Sequence, residues 1–115
     1  MVIMVKNIKS YMPLSETAFY ILLSLNKPRH GYGIIKYVEQ LTGGRITLGS
    51  GTIYTTLGKM SKAKFITVFQ DRERKTIYEL TSEGKELLRL EIERIKTVYK
   101  DTLYQERLFN EENKI

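Results

Sequence analysis

Cysteine and tryptophan are both missing from this 115-residue chain, proline occurs twice and histidine once. Without cysteine there are no disulfide staples, no thiolate metal ligands and no cysteine nucleophile, a composition that suits a reducing, cytoplasmic setting. A lone histidine cannot build a metal centre by itself. No apolar run approaches the roughly 20 residues that a membrane-spanning helix needs. The apolar stretch before Lys6 is too short, and its charge stands on the wrong side, for a secretory leader. Phosphate-loop, nucleophile-elbow and histidine–carboxylate–serine patterns are absent. The chain reads as a protein that is not an enzyme and needs no cofactor or metal.

What is present is one domain's worth of residues with room for one appended element. A hydrophobic content of 42% is enough to build a core, so the chain is expected to fold rather than remain disordered. The net charge of +6 is unevenly placed. Residues 1–81 carry 12 Lys/Arg against 5 Asp/Glu, a net of +7, whereas residues 82–115 carry 7 against 8, a net of −1. The whole basic excess sits in the first part, where a positive field would draw in a polyanion.

Periodicity divides that first part. Met1 to Pro13 reads as an arm or a short helix. Ser15 is an N-cap candidate with Glu16 in the first turn, and Ala18, Ile21, Leu22 and Leu25 follow at helical spacing up to Pro28. A second helix is predicted over Gly31–Leu41, with Ile34, Ile35, Val38 and Leu41 inward and Thr42-Gly43-Gly44 ending it. His30 before it is expected to bond the backbone of the turn. Arg45–Leu48 reads as a short strand. Ser50 is expected to cap a third helix in which Ile53, Leu57 and Met60 face the core, leaving Thr52, Thr55, Thr56 and Lys59 outside.

Phe65–Gln70 and Thr76–Leu80 are β-rich and flank the charged tip Asp71–Lys75, which predicts a hairpin. Thr81 then caps a last helix whose stripe Leu88, Ile92, Ile95, Tyr99 and Leu103 is narrow, like a coiled-coil seam. The fold class is thus mostly α with a small β-hairpin. Residues 1–81 form a head (1–13 its arm), 82–110 a dimerisation helix and 111–115 a polar tail.

His30-Gly31-Tyr32 with Ile35-Lys36, Gly51-Thr52-Ile53-Tyr54 with Leu57, and Tyr78-Glu79-Leu80-Thr81-Ser82-Glu83-Gly84 follow one another in an order that resembles the PadR family of bacterial transcriptional regulators. The likeness covers about residues 14 to 90 and is strongest to the short members. It implies a winged helix-turn-helix repressor that dimerises through its last helix and contacts double-stranded DNA through the third helix and the wing. Family members usually place glycine where Lys64 stands, so Lys64 is expected at positive φ. Short members that bind flat aromatic drugs carry a tryptophan at about Ile95, and this chain has none.

The expected DNA contacts are Tyr32 at the start of the second helix, Ser50, Thr52, Tyr54, Thr55, Thr56 and Lys59 on the third, and Arg72, Arg74 and Lys75 on the wing. Threonine and lysine can reach base edges or phosphates, a helix N-terminus can hold a phosphate, and wing cations can grip the backbone. The competing reading of each is a solvated face or a packing role; for Tyr54 packing weighs nearly as much. The partners follow: duplex DNA, a second copy of the chain, an unidentified small-molecule effector near the dimer interface, and no membrane. A reading of another class is a winged helix that docks a protein instead of DNA.

Overall fold

A computed structural model describes residues 7–112. The predicted tail residues Asn113–Ile115 and the first six residues of the arm lie outside that range. Within it, Ile8–Tyr11 form a single 3-10 turn. Four helices follow, α1 (Glu16–Ser24), α2 (Gly31–Leu41), α3 (Ser50–Lys62) and α4 (Ser82–Glu112), with three strands, β1 (Arg29–His30), β2 (Ile66–Arg72) and β3 (Lys75–Leu80). The antiparallel sheet has the order β1-β3-β2. α4 continues past Asn110 through Glu112, so two residues assigned to the tail are helical.

The core is drawn from every helix. Ile21, Leu22 and Leu25, Ile34 and Val38, Ile53, Leu57 and Met60, then Phe65, Ile66 and Leu87 form one buried cluster. Their i, i+3/i+4 spacing on each helix makes this possible. Leu41, expected inside, is 49% exposed, because the chain turns away immediately after it. There Gly43 and Gly44 take φ of +59° and +84°. Their N–H groups reach back to Gln40 O and Glu39 O at 3.2 and 2.8 Å, which closes the helix end in a Schellman turn.

Two expectations are corrected here. Arg45–Leu48 is not a strand. Thr42 Oγ1 accepts the Ile46 N–H at 3.1 Å, and Arg45 donates to Glu16 at 2.9 Å and to the Tyr20 hydroxyl at 2.8 Å. The first bond ties the segment to the end of α2 and the Arg45 bonds tie it to α1, and β1 takes the sheet position instead, pairing Arg29 with Tyr78 and His30 with Ile77. Ser50 is not the N-cap of α3. Gly49 occupies that position without a side-chain bond, and its carbonyl already accepts the Ile53 N–H at 3.0 Å. The other capping assignments match the structure. Ser15 Oγ accepts the Ala18 N–H at 3.1 Å, and Thr81 Oγ1 accepts the Gly84 N–H at 3.0 Å.

The end of α3 sets the direction of all that follows. Lys64 has φ of +64°. Its N–H bonds to Ser61 O and that of Phe65 to Met60 O, both at 3.0 Å, a second Schellman turn built on lysine. Thr81 Oγ1 donates to Lys64 O at 2.7 Å, and the Thr81 N–H donates to Phe65 O at 3.0 Å. A Cβ on Gly84 would lie 1.9 Å from Phe65 O, so only glycine lets α4 pass so close. The start of β2, the end of β3 and the first turn of α4 are thereby joined at one point.

From that joint α4 departs. Gly84, Leu87 and Glu91 face the head and are buried, a stripe distinct from the one read in the sequence. Leu88 packs partly against the core, Ile92 is half-buried, and Ile95, Tyr99 and Leu103 are exposed. The helix has 31 residues, about 46 Å of rise. The radius of gyration is 17.4 Å, against about 13 Å for a compact chain of this length; the helix projects clear of the head. No helix among the described residues is long and apolar enough to cross a membrane.

Candidate nucleic-acid interface

The beginning of α2, the outer side of α3 and the hairpin from its turn along β3 converge on a cleft of about 380 Å³. His30, Gly31 and Tyr32 come from the first, Tyr54 from the second, and Arg74, Lys75, Thr76 and Tyr78 from the third. Each wall has a local cause. His30 caps α2, its Nδ1 accepting the Gly33 N–H at 3.1 Å, as the turn reading expected. Its ring lies parallel to that of Tyr32, 6.4 Å between centres. Gly31 makes room for Tyr54: a Cβ there would stand 2.9 Å from the Tyr54 hydroxyl. Tyr54 is thus packed on one side and open on the other.

The hairpin is longer and its tip tighter than expected. Arg72 pairs with Lys75 and Asp71 with Thr76, so the ladder extends to the end. Only Glu73 and Arg74 turn, both at positive φ, 53° and 64°. This is the backbone of a two-residue primed turn, more usually made by asparagine and glycine. Phe69 is the extra residue of a bulge between the Val68–Tyr78 and Gln70–Ile77 pairs, which adds twist to the wing. The Gln70 amide, oriented by its hydrogen bonds, accepts from Arg72 Nη2 and Nε at 2.6 and 2.9 Å. That guanidinium is therefore pre-positioned.

The ten expected DNA contacts fall into three groups. Tyr32, Tyr54, Arg74 and Lys75 share the cleft. Ser50, Thr52 and Thr55 stand exposed on α3, and Arg72 is exposed on β2. Thr56 is half-buried, and with Lys59 it lines a separate cavity against the beginning of α1. Of the other cleft residues, sequence reasoning read His30 and Gly31 only as the turn and start of α2, and missed Thr76 and Tyr78. Alternation along β3 puts both on one side and could have found them. It also missed Lys36, whose Nζ lies 5.7 Å from the Tyr32 ring centre; the i, i+4 spacing carries that signal.

Burial raises the pKa of the Tyr78 hydroxyl above the ordinary tyrosine value, and the neighbouring Tyr54 and Asp71 add to this. It remains a neutral donor at neutral pH. Arg74 and Lys75 supply charge, diluted by Asp71 and Glu73 on the same hairpin. Two other arginines are occupied elsewhere: Arg29 donates to Ser24 O at 2.7 Å and lies over the Tyr37 ring, and Arg45 is held by Glu16. The described residues contain no cluster of acids and histidine able to hold a metal.

Residues 8–90 match the family model described as the transcriptional regulator PadR-like family. The chain is 33% identical over 69 residues to the transcriptional regulator YqjI of Escherichia coli, covering 60% of this chain and 33% of that one. It spans a third or less of the length of the curated relatives it matches. Among solved structures, Bacillus subtilis PadR in complex with operator DNA is similar at 30% identity and a TM-score of 0.57, over 67% of this chain and 46% of that chain. A PadR family transcription regulator from Clostridium difficile is similar at 26% identity and a TM-score of 0.62, over 77% of this chain and 99% of that one.

Proposed function

The chain belongs to the PadR-like family of transcriptional regulators, and from that premise we propose that it is a homodimeric repressor reading a pseudo-palindromic operator in duplex DNA. The observation that carries this reading is the single cleft gathering Tyr32, Tyr54, Arg74 and Lys75 from three elements beside the exposed face of α3. A phosphate fits there, held by tyrosine hydroxyls, wing cations and the positive end of α2. With the backbone so anchored, α3 lies along the major groove. Thr52, Thr55 and Lys59 then face base edges, and Ser50 at its first turn faces a phosphate.

The likeness to a regulator solved on its operator supports DNA as the partner. The exposed Ile95, Tyr99 and Leu103 on a projecting helix support a second copy of the chain. Two heads carried by paired α4 helices would meet successive major grooves about one helical turn apart. The chain works by binding rather than by catalysis, and an effector would act by shifting the separation of the heads.

The test is fluorescence anisotropy with duplexes tiled across the region upstream of the gene, against random duplex, from about 50 to about 200 mM salt. One duplex bound at least about a thousandfold more tightly than random DNA supports the reading. Equal, weak and salt-insensitive binding to all duplexes would instead favour a protein-docking winged helix.

A further inference from the structure

The cavity at Lys59 differs in character from the cleft. It holds about 330 Å³, within the lower range of small-molecule sites. Its walls are Leu14 and Ala18 at the start of α1, Met60 on α3 and Leu87 on α4, with Tyr11 and Phe65 meeting edge to face at 4.8 Å. Two of the lining side chains, Ala18 and Ala63, are small. The polar side chains in the lining are few: the hydroxyls of Tyr11, Ser15 and Thr56 and the Lys59 ammonium, with Ser15 Oγ already accepting the Ala18 N–H. Among the described lining residues Lys59 is the one that carries a charge, and it makes no salt bridge to another described residue.

A mostly apolar chamber with one lysine and three hydroxyls among its described lining residues selects an amphipathic anion. The geometry points to a small aliphatic carboxylate as ligand, its hydrocarbon part between Leu14, Met60 and Leu87 and its carboxylate on Lys59 and Thr56. Flexible leucine and methionine walls adapt to a bent alkyl chain. The site is separate from the dimer stripe of α4. It also carries a consequence for regulation, which rests on the reading of α3 as the DNA helix. Lys59 belongs both to this cavity and to the face proposed to meet DNA. A carboxylate bound to Lys59 withdraws that cation from the operator, so ligand and DNA oppose each other.

Octanoate is the probe, with 1-octanol and octylamine as neutral and cationic counterparts of equal length. Calorimetry without DNA is expected to give saturable octanoate binding below about 1 mM, an affinity within reach of about ten heavy atoms. Octanol should bind about fivefold more weakly, the contribution of one exposed ion pair, and octylamine more weakly still. Lys59→Gln should remove the preference of octanoate over octanol. Ala18→Leu should abolish binding of both while leaving duplex affinity intact, with thermal unfolding verifying the fold. If Ala18→Leu unfolds, Ala18→Val, a smaller filling, is expected to weaken both ligands in proportion.

On DNA, octanoate should weaken operator binding, and operator should weaken octanoate binding by the same factor. No saturation, equal binding of the three probes, or octanoate binding unchanged in Ala18→Leu overturns the site. Octanoate binding with no effect on DNA affinity overturns the antagonism. A protein that binds octanoate as described but no duplex at all overturns the DNA reading and leaves the site standing.

Discussion

Glu91 of α4, fully buried, accepts the main-chain N–H of Leu14 at 2.7 Å across 77 positions of sequence. The same carboxylate takes the guanidinium of Arg94. One acid thus fastens the projecting helix to the entrance of α1. Burial alone would raise its pKa, but the Arg94 hydrogen bond and the Leu14 N–H together outweigh that and hold it below the ordinary value of 4.5.

Glu91→Ala is expected to lower stability by about 1–3 kcal/mol, because the Leu14 N–H and Arg94 lose their acceptor together. Since the folded-state pKa is depressed, the carboxylate's stabilisation is complete above pH 4.5 and is lost as pH falls through the lower folded value. The wild-type melting temperature should therefore drop below that pH, and Glu91→Gln should show a smaller drop over the same window. Thermal melts across a pH series check both; identical profiles for the two proteins would contradict the assignment.

Lys64 sits in the left-handed conformation that ends α3. Glycine adopts it without the Cβ clash, so Lys64→Gly should stabilise the head by up to about 1 kcal/mol. A differential scan should show the melting temperature rising by a few degrees. A lower melting temperature would mean that the lysine side chain contributes more than its backbone strain removes.

Two glycines should respond in opposite directions. Gly84→Ala would set a methyl against Phe65 O and is expected to cost about 1–3 kcal/mol. Gly58, inside α3 with nothing within 4 Å of its absent Cβ, should gain roughly 1 kcal/mol on conversion to alanine. Chemical denaturation of both variants is the measurement.

Wing and helix are expected to divide the work on DNA. Arg74→Ala should weaken operator and random duplex alike and flatten the log–log salt slope by about 0.9. Thr55→Ala should cost about 1–3 kcal/mol on the operator and little on random DNA. Salt titrations of each variant on both duplexes separate the roles, and a reversed pattern would reverse the assignment.

Ile92 and Ile95 should hold the dimer. Replacing both with aspartate removes roughly 1.5–3 kcal/mol of burial per side chain from each copy. Sedimentation should shift towards monomer; an unchanged dimer would place the interface elsewhere.

Much of this architecture is legible in the residues, for identifiable reasons. The inward positions of α3 and the bounds of α2 follow from helical spacing and the breakers at Pro28 and Gly43-Gly44. Lys64 at positive φ follows from the need to reverse a helix into a strand. What escaped depends on contacts distant in sequence. β1 is only two residues long, too short for any periodicity, and exists because β3 offers it a partner. Gly84, Leu87 and Glu91 stayed hidden because a buried glutamate does not look like a core residue until Leu14 and Arg94 are beside it. The bulge at Phe69 escaped as well, because it shows only once β2 is paired with an unbroken β3.

The joint of Phe65, Thr81 and Gly84 makes α4 behave like the arm of a caliper, rigid at its root. In a dimer built on that arm, the gap between the two reading heads is fixed by helix length and phase rather than by any loop. Adding one residue to α4 between the joint and Ile92 would rotate the partner by about 100° and spoil its alignment with DNA. Adding seven would restore the phase to within about 20° and lengthen each arm by about 10 Å. Spacing between half-sites would then become a property that can be engineered in whole turns.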